Sequence, residues 1–132
     1  AGQSLKSQPK VSIYVKNYNT KDGTCIRDYI HVSDLADIHL KTLKKITKTK
    51  KSIILNCGYG KGYSVKEIVD IFKLLKKDVI VQYQKRRVGD IAQIYADTKK
   101  IKKDLNWKPK FNDIKKILIS AIKWEKKLKK LR

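Results

Sequence analysis

Residues 22–39 of this 132-residue chain read DGTCIRDYIHVSDLADIH, and the local structure around them follows from this stretch. It opens with an Asp-Gly pair, which is typical of a turn. The β-branched and aromatic residues within 25–32 predict a strand. Ser33 or Asp34 then supplies a side-chain oxygen that can cap a helix. The stretch therefore predicts a turn, a strand and the start of a helix.

Arg27 lies inside the predicted strand and is one of only four Arg among 33 basic residues. Its planar guanidinium suits bidentate binding of a phosphate or a carboxylate, which a Lys cannot reproduce. A buried ion pair with one of the nearby Asp residues would also explain an Arg here. The residues alone leave both interpretations open.

The hydrophobic pattern of the rest of the chain alternates between strand and helix periodicity. It predicts strands at residues 11–15, 53–55 and 78–84, and helices at 34–46, 64–77, 98–105 and from 113 onward. The 53–55 strand is continuously apolar and is expected to be buried on both faces. Ser64 and Glu67 form a capping box. The predicted fold class is therefore α/β, with short strands alternating with amphipathic helices.

The first predicted helix has apolar residues at helical spacing, namely Ala36, Leu40 and Leu43, which are expected to form its buried face. His39 lies beside this face and is expected to be a packed residue, not a ligand. At the other end of the chain, Asn112 or Asp113 is expected to cap the last helix.

The net charge of +21 first suggests a nucleic-acid binder. However, Lys is spread over every segment and Arg is scarce, whereas base readers rely on the bidentate geometry of Arg. We therefore expect non-specific, salt-sensitive association with polyanions instead of sequence-specific binding.

The chain contains no apolar run long enough to span a membrane, so no membrane segment is expected. Its two cysteines, Cys25 and Cys57, have neither a disulfide pattern nor metal-ligand spacing. We expect both thiols to be reduced, in a cytoplasmic protein, and we expect no metal site.

Four blocks of this sequence together resemble the UDP-glucose 4-epimerases, which are extended short-chain dehydrogenase/reductases. The blocks are DGTCIRDYIHVSDLADIH, NCGYGKGYSVKEIV, RRVGD and YADTKKIKKDLNWKPK, followed by a last helix with a Trp-Glu pair. The resemblance covers residues 11–125 and corresponds to the C-terminal part of the family's chain. It implies a polar N-terminal extension at 1–10, a UDP-sugar-binding region at 11–125 and a basic tail at 126–132.

This resemblance implies an isomerase that interconverts UDP-glucose and UDP-galactose at C4 through transient NAD-dependent oxidation. It also implies substrate-binding roles within this chain. Arg27 and Arg87 would hold the diphosphate, Asp90 would contact the ribose, and Tyr14 would lie near the uracil. For Arg86 we expect an ordinary exposed position in a basic turn. No catalytic residue is expected here.

Two motifs in this chain imitate the missing parts of such an enzyme. Residues 58–62, GYGKG, follow a predicted strand and precede a helix, but the third glycine comes one residue too early for a dinucleotide fingerprint. We expect these glycines to permit positive φ and close packing. Tyr95 and Lys99 have the Tyr-x-x-x-Lys spacing, but a cap at Asp97 or Thr98 would leave Tyr95 outside the helix. The sequence thus predicts neither an NAD loop nor a catalytic pair.

The partners that follow are a UDP-sugar, an N-terminal dinucleotide-binding part that carries NAD and, as one oligomeric state, a homodimer. Without that N-terminal part the chain is expected to be inactive. Two alternatives stay open. The chain could belong to another nucleotide-sugar epimerase or dehydratase of the same superfamily, or it could be a non-catalytic, basic polyanion-binding protein.

Overall fold

The computed structural model describes residues 10–14, 17–75 and 79–131. The strands are β1 (Lys10–Tyr14), β2 (Ile26–Arg27), β3 (Tyr63–Ser64), β4 (Ile80–Gln84) and β5 (Gln93–Ile94). The helices are α1 (Val32–Thr49), α2 (Val65–Leu75), α3 (Lys99–Leu105) and α4 (Ile114–Leu131). This arrangement of short strands and helices confirms the predicted α/β class.

The strands form two small sheets. In the first, β1 and β4 are parallel, and Tyr14 at the end of β1 is opposite Gln84 at the end of β4. In the second, β2 lies between β3 and β5, antiparallel to β3 and parallel to β5. Both sheets therefore join the first third of the chain to the segment around residues 80–94.

Two clusters of buried side chains form the core. The first joins α1 to α3 and contains Ile38, Tyr59, Ile101 and Trp107, and the rings of Tyr59 and Trp107 are stacked 6.3 Å apart. The second lies between α2 and α4 and contains Ile68, Phe72 and Leu118. Because each cluster joins helices from distant parts of the sequence, burial of apolar surface fixes the mutual positions of these helices.

Several helix ends match the sequence prediction. Ser64 Oγ accepts from the Glu67 N–H at 3.0 Å, and the Glu67 carboxylate accepts from the Ser64 N–H at 2.7 Å, which confirms the capping box. Helix α3 ends at Asn106, in the left-handed conformation with φ 45°. The Asp113 carboxylate accepts from the Lys116 N–H at 3.1 Å and caps α4.

The start of α1 differs from the prediction. The expected strand over residues 25–32 is reduced to β2, because the Asp28 carboxylate holds neighbouring loops. The cap of α1 is neither Ser33 nor Asp34 but His31, whose Nδ1 accepts from the Ser33 N–H at 3.1 Å. Asp34 is buried and its carboxylate faces the other end of the chain.

The apolar segment 53–55 is not a strand, although a buried strand was predicted, and Ile54 is 84% exposed. The predicted buried face of α1 is also wrong. Leu40 and Leu43 are 60% and 55% exposed, whereas Ile38 on the same helix is 2% exposed. Within the described ranges no strand pairs with residues 53–55, so their main chain has no ladder to join.

The boundaries of other elements shift by a few residues. β1 begins at Lys10, and the predicted strand residue Val15 lies outside the described residues, as do residues 76–78 at the predicted junction of α2 and β4. Helix α4 continues through residues 126–131, which were predicted as a separate tail. The division of the chain at residues 10 and 125 stays a prediction. No helix in the part of the chain described here is long and apolar enough to cross a membrane.

Candidate functional site

Asp28, next to Arg27 at the end of β2, binds two separate loops with one carboxylate. Oδ1 accepts from the Tyr59 N–H at 3.0 Å, and Oδ2 accepts from the N–H groups of Gly60 at 2.9 Å and Ala96 at 3.3 Å. The glycine-rich loop and the segment before α3 are thus both attached to the end of β2. This role of Asp28 was not predicted from the sequence, although an Asp is unusual inside a strand.

The glycine-rich loop is a packing device, as predicted. A Cβ on Gly58 would overlap the Asp28 carboxylate and the Ala96 side chain, and a Cβ on Gly62 would overlap Ile26. Gly60 has φ 71°, which an L side chain rarely adopts. The amides of Tyr59 and Gly60 already donate to Asp28, so they are not available to cradle a phosphate.

Asp34 forms a second buried junction. Its carboxylate accepts from the Tyr59 hydroxyl at 2.7 Å and from the N–H groups of Lys110 and Phe111 at 2.9–3.2 Å. Burial works to raise the pKa of Asp34, but these hydrogen bonds outweigh it and hold the pKa below its usual value. Burial and the bond to Asp34 raise the pKa of Tyr59, which is therefore a hydrogen-bond donor at neutral pH.

Tyr14, Arg87 and Asp90 lie together at the ends of β1 and β4. The Arg87 guanidinium lies over the Tyr14 ring, 4.4 Å from its centroid. Its Nε donates to Asp90 Oδ2 at 3.0 Å and its Nη2 donates to Asp90 Oδ1 at 3.3 Å. The bond and the charge of Asp90 raise the pKa of Arg87, which stays fully cationic. Three of the four predicted binding residues thus form one cluster.

Arg86 is exposed, as predicted for a basic turn, but it also makes a contact that was not predicted. Its guanidinium lies over the ring of Tyr18, 4.5 Å from the centroid, and Tyr18 is 5% exposed. The two adjacent Arg therefore stack on two different Tyr rings. Each stack lies on one side of the turn that carries Arg87. The Arg-Arg pair gave no sequence indication of this, because Tyr18 lies far away along the chain.

The fourth predicted residue, Arg27, lies on β2, which belongs to the other sheet. Its Nη1 donates to the carbonyl of Ile26 at 2.8 Å, and no ion pair of Arg27 occurs among the residues that the structure describes. The buried ion pair considered from the sequence is therefore not formed. Arg27 borders an open cleft of about 570 Å³ whose other lining residues are Asp28, Leu55, Asn56, Cys57, Ile94, Tyr95 and Ala96.

The Tyr-x-x-x-Lys match is accidental, as predicted. Tyr95 precedes α3, which begins at Lys99, so the two side chains do not share a helix face. The Asp97 carboxylate accepts from the Lys99 N–H at 2.9 Å and marks the helix start.

His39 is exposed, not packed as expected, and its Nδ1 lies 2.8 Å from the Leu35 carbonyl oxygen. In the described ranges no group of His, Cys, Asp and Glu is arranged to hold a metal ion. The cluster of Tyr14, Arg87 and Asp90 offers a forked cation, an aromatic ring and a carboxylate, and the first two suit an anionic ligand with a planar ring.

Comparison with known proteins gives consistent relatives. The sequence profile of the NAD dependent epimerase/dehydratase family matches residues 4–58. A UDP-glucose 4-epimerase from Azospirillum brasilense is 42% identical over 125 residues, which are 94% of this chain and 36% of that protein. UDP-arabinose 4-epimerase 1 from Arabidopsis thaliana is 45% identical over 119 residues, which are 89% of this chain and 28% of that protein. The chain thus spans about a third of the length of these relatives.

Solved structures agree with the sequence relatives. A UDP-glucose-4-epimerase from Stenotrophomonas maltophila, crystallised with NAD and formylated UDP-arabinopyranose, has a TM-score of 0.85 and 35% identity, covering 94% of this chain and 37% of that one. The UDP-glucose 4-epimerase from Bifidobacterium longum, in complex with NAD⁺ and UDP, has a TM-score of 0.81 and 33% identity. The match covers 96% of this chain and 37% of that one. The predicted resemblance and fold are confirmed: the chain matches a part of the extended short-chain dehydrogenase/reductase fold.

Proposed function

Because this chain belongs to the NAD-dependent epimerase/dehydratase family, we propose that it is the UDP-sugar-binding, C-terminal part of a UDP-glucose 4-epimerase. The complete protein would interconvert UDP-glucose and UDP-galactose at C4 through transient, NAD-dependent oxidation. The observation that carries this proposal is the cluster of Tyr14, Arg87 and Asp90, which unites an aromatic ring, a forked cation and a carboxylate. These are the groups that a uracil ring, a diphosphate and a ribose require.

Each side chain has a separate task in this proposal. Arg87 and Arg27 would bind the diphosphate through charge-assisted hydrogen bonds. Asp90 would accept from ribose hydroxyls, and the exposed face of Tyr14, a residue that is 38% exposed, would lie near the uracil. Contacts far from C4 serve the reaction because binding energy at the nucleotide positions the reacting sugar.

NAD belongs to the part of the enzyme that this chain does not contain. The one glycine-rich loop of the described residues donates its Tyr59 and Gly60 amides to Asp28, so it does not fit a dinucleotide phosphate. We therefore assign no step of the hydride chemistry to these residues. The isolated chain is expected to have no epimerase activity and to retain no NAD, because neither the phosphate loop nor the Tyr-Lys pair is present.

The partner of this chain would be an N-terminal dinucleotide-binding part. Support comes from the apolar side of α1 and the neighbouring segment. Leu43 and Ile53 line one open groove, and Leu40, Leu43 and Ile54 are each more than half exposed. Exposed apolar side chains beside a groove favour an interface. A homodimer and a cytoplasmic location stay predictions; free Cys25 and Cys57 agree with a reducing compartment.

The test of the proposal is a set of Arg variants in the complete protein that carries this chain, titrated with UDP and with UDP-glucose by calorimetry. Arg87→Ala should weaken both ligands by at least about 30-fold, as expected when a desolvated charge pair loses one partner. Arg87→Lys should restore only part of the affinity, because an ammonium group cannot fork. Arg27→Ala should resemble Arg87→Ala.

Arg86→Ala is the matched control, because it removes the same charge from the neighbouring residue. It should weaken UDP by less than about fivefold, since Arg86 stacks on Tyr18 and donates to the main-chain carbonyl of Asp90 at 3.5 Å, not to its carboxylate. Equal and small effects at Arg86 and Arg87 would mean that the turn is only a basic surface loop.

A second candidate is a related nucleotide-sugar epimerase, and the UDP-arabinose 4-epimerase relative at 45% identity favours it. Residues that bind the diphosphate and the ribose do not contact the sugar that is epimerised, so the cluster would bind either substrate. Assays of the complete protein with UDP-galactose and with UDP-arabinose would distinguish them by the ratio of kcat/KM.

A further inference from the structure

Arg87 already binds an anion in this structure, namely the carboxylate of its own turn. The Nε and Nη2 groups of one guanidinium edge donate to the two oxygens of Asp90 at 3.0 and 3.3 Å. A phosphate group that binds this same edge does so with the same fork geometry. Asp90 and a phosphate therefore compete for the same donors.

The geometry of the turn keeps this pair together. Gly89 has φ 84°, and the Asp90 N–H donates to the Arg87 carbonyl at 3.4 Å, so the turn directs the carboxylate back towards Arg87. The Tyr14 ring covers one face of the guanidinium at 4.4 Å. With Arg87 in place, the Asp90 side chain is 19% exposed, so its carboxylate is partly buried in the paired state.

A diphosphate that takes the Arg87 fork leaves Asp90 charged, without these two hydrogen bonds and beside further negative charge. Loss of hydrogen bonds to a partly buried carboxylate is unfavourable unless other donors replace them. The 2′ and 3′ hydroxyls of a ribose are such donors, whereas inorganic pyrophosphate has none to offer at that position. The same carboxylate therefore opposes a bare diphosphate and supports a nucleoside diphosphate.

We propose that the Arg87–Asp90 pair is a specificity device that makes ribose a condition for diphosphate binding, by closing the Arg87 fork against anions that cannot give Asp90 new donors. This inference rests on the proposed function, because it assumes that Arg87 receives the diphosphate. It adds a selection against pyrophosphate, which the binding roles of the individual residues do not include.

The experiment is calorimetric titration of the complete protein with UDP, 2′,3′-dideoxy-UDP and inorganic pyrophosphate. The variants are Asp90→Asn and Asp90→Ser, with Asp37→Asn as the matched control. Asp37 pairs with Lys41 within α1, so its variant changes the net charge equally without touching the cluster. Circular dichroism of each variant checks that it is folded.

We expect the wild-type protein to prefer UDP over pyrophosphate strongly. Both Asp90 variants should bind pyrophosphate about tenfold more tightly and UDP about tenfold more weakly, so the preference falls by about 100-fold. Removing both ribose hydroxyls should weaken binding to the wild-type protein more than to the Asp90 variants. Asp37→Asn should leave all three affinities within about twofold of wild type.

Two results would overturn the inference, and they differ in what else they overturn. If UDP binds and Arg87→Ala weakens it, but the Asp90 variants bind pyrophosphate no more tightly than wild type, the selection is wrong and the proposed function stands. If UDP does not bind the wild-type protein, or Arg87→Ala leaves it unchanged, the proposed function and the inference both fail.

Discussion

At the scale of single residues, buried carboxylates hold together segments that are distant in the sequence. Asp28 accepts from amides of the glycine-rich loop and of the segment before α3. Asp34 accepts from the Tyr59 hydroxyl and from two amides at residues 110–111. Each carboxylate offers several acceptor sites in a small volume, so it can satisfy main-chain donors that no helix or sheet satisfies.

We predict that Asp34→Asn lowers the free energy of unfolding by about 1–3 kcal/mol at pH 7, because an amide cannot accept from all three donors. The variant should also weaken the dependence of stability on acid. The folded protein lowers the pKa of Asp34, so this contribution is complete above the pKa of the unfolded chain, about 4. It is lost as the pH falls through the lower folded value.

Urea unfolding between pH 2 and pH 7 measures both effects. Asp97→Asn is the control, because Asp97 is exposed and an Asn there keeps the cap on the Lys99 amide. It should change the free energy of unfolding by less than about 0.5 kcal/mol. An Asp34→Asn protein with the acid profile of the wild type would contradict the role given to this carboxylate.

At the scale of elements, the start of α2 is bound to the turn that opens the 22–39 stretch. Ser64 Oγ donates to Asp22 Oδ2 at 2.5 Å, and Thr24 Oγ1 accepts from the Lys66 N–H at 3.1 Å. Burial works against ionisation of Asp22, but the bonds from Ser64 and Thr24 outweigh it and lower the pKa of Asp22. The cap of one helix is thereby part of the packing of a distant turn.

We predict that Ser64→Ala lowers the free energy of unfolding by about 1–2 kcal/mol, because it removes the cap on α2 and the donor to Asp22 together. Ser120→Ala is the matched control within α4, where the hydroxyl donates to the Ile117 carbonyl at 2.8 Å. Because Ala is the better helix former, that change should be neutral or slightly stabilising. Thermal unfolding of both variants measures the two changes in stability. Equal losses of stability in Ser64→Ala and Ser120→Ala would contradict the prediction.

At the scale of the whole molecule, the net charge of +21 should make the protein associate with polyanions. For a nucleic acid, this association should not depend on the base sequence. We predict that the affinity for duplex DNA falls steeply with salt and is nearly equal for unrelated duplexes, because released counterions dominate the binding. Fluorescence anisotropy at several salt concentrations measures this. A thousandfold preference for one duplex at physiological salt would instead support a nucleic-acid-binding function.

The exposed apolar side of α1 allows a test of the missing partner. We predict that Leu43→Glu changes the unfolding free energy of the isolated chain by less than about 0.5 kcal/mol, because Leu43 is 55% exposed there. In the complete protein the same change should lower the unfolding free energy by more than about 2 kcal/mol, because it would bury an unpaired charge. Ile38→Glu, at a residue buried in this chain, should destabilise both forms. Equal, small effects of Leu43→Glu in both would mean that no partner covers this side.

The sequence by itself determined the features that depend on neighbours within one helical turn. The capping box of Ser64 and Glu67, the end of α3 at Asn106 and the cap at Asp113 all follow from residues three or four positions apart. The four family blocks also identified the family before any contact was known. Local hydrogen bonds and backbone preferences give such features a fixed spacing, which the sequence displays directly.

Only the tertiary structure decided which distant residues meet. Pairing of β1 with β4 sets Tyr14 opposite Gln84, so Arg87, just beyond the strand, lies over the Tyr14 ring. The same pairing brings Arg86 onto Tyr18, which the sequence did not indicate. The sequence also misjudged α1 and residues 53–55, where an apolar pattern was interpreted as burial within this chain. An apolar pattern in the sequence indicates that a surface will be buried. Only the assembled fold determines which other segment or chain buries it.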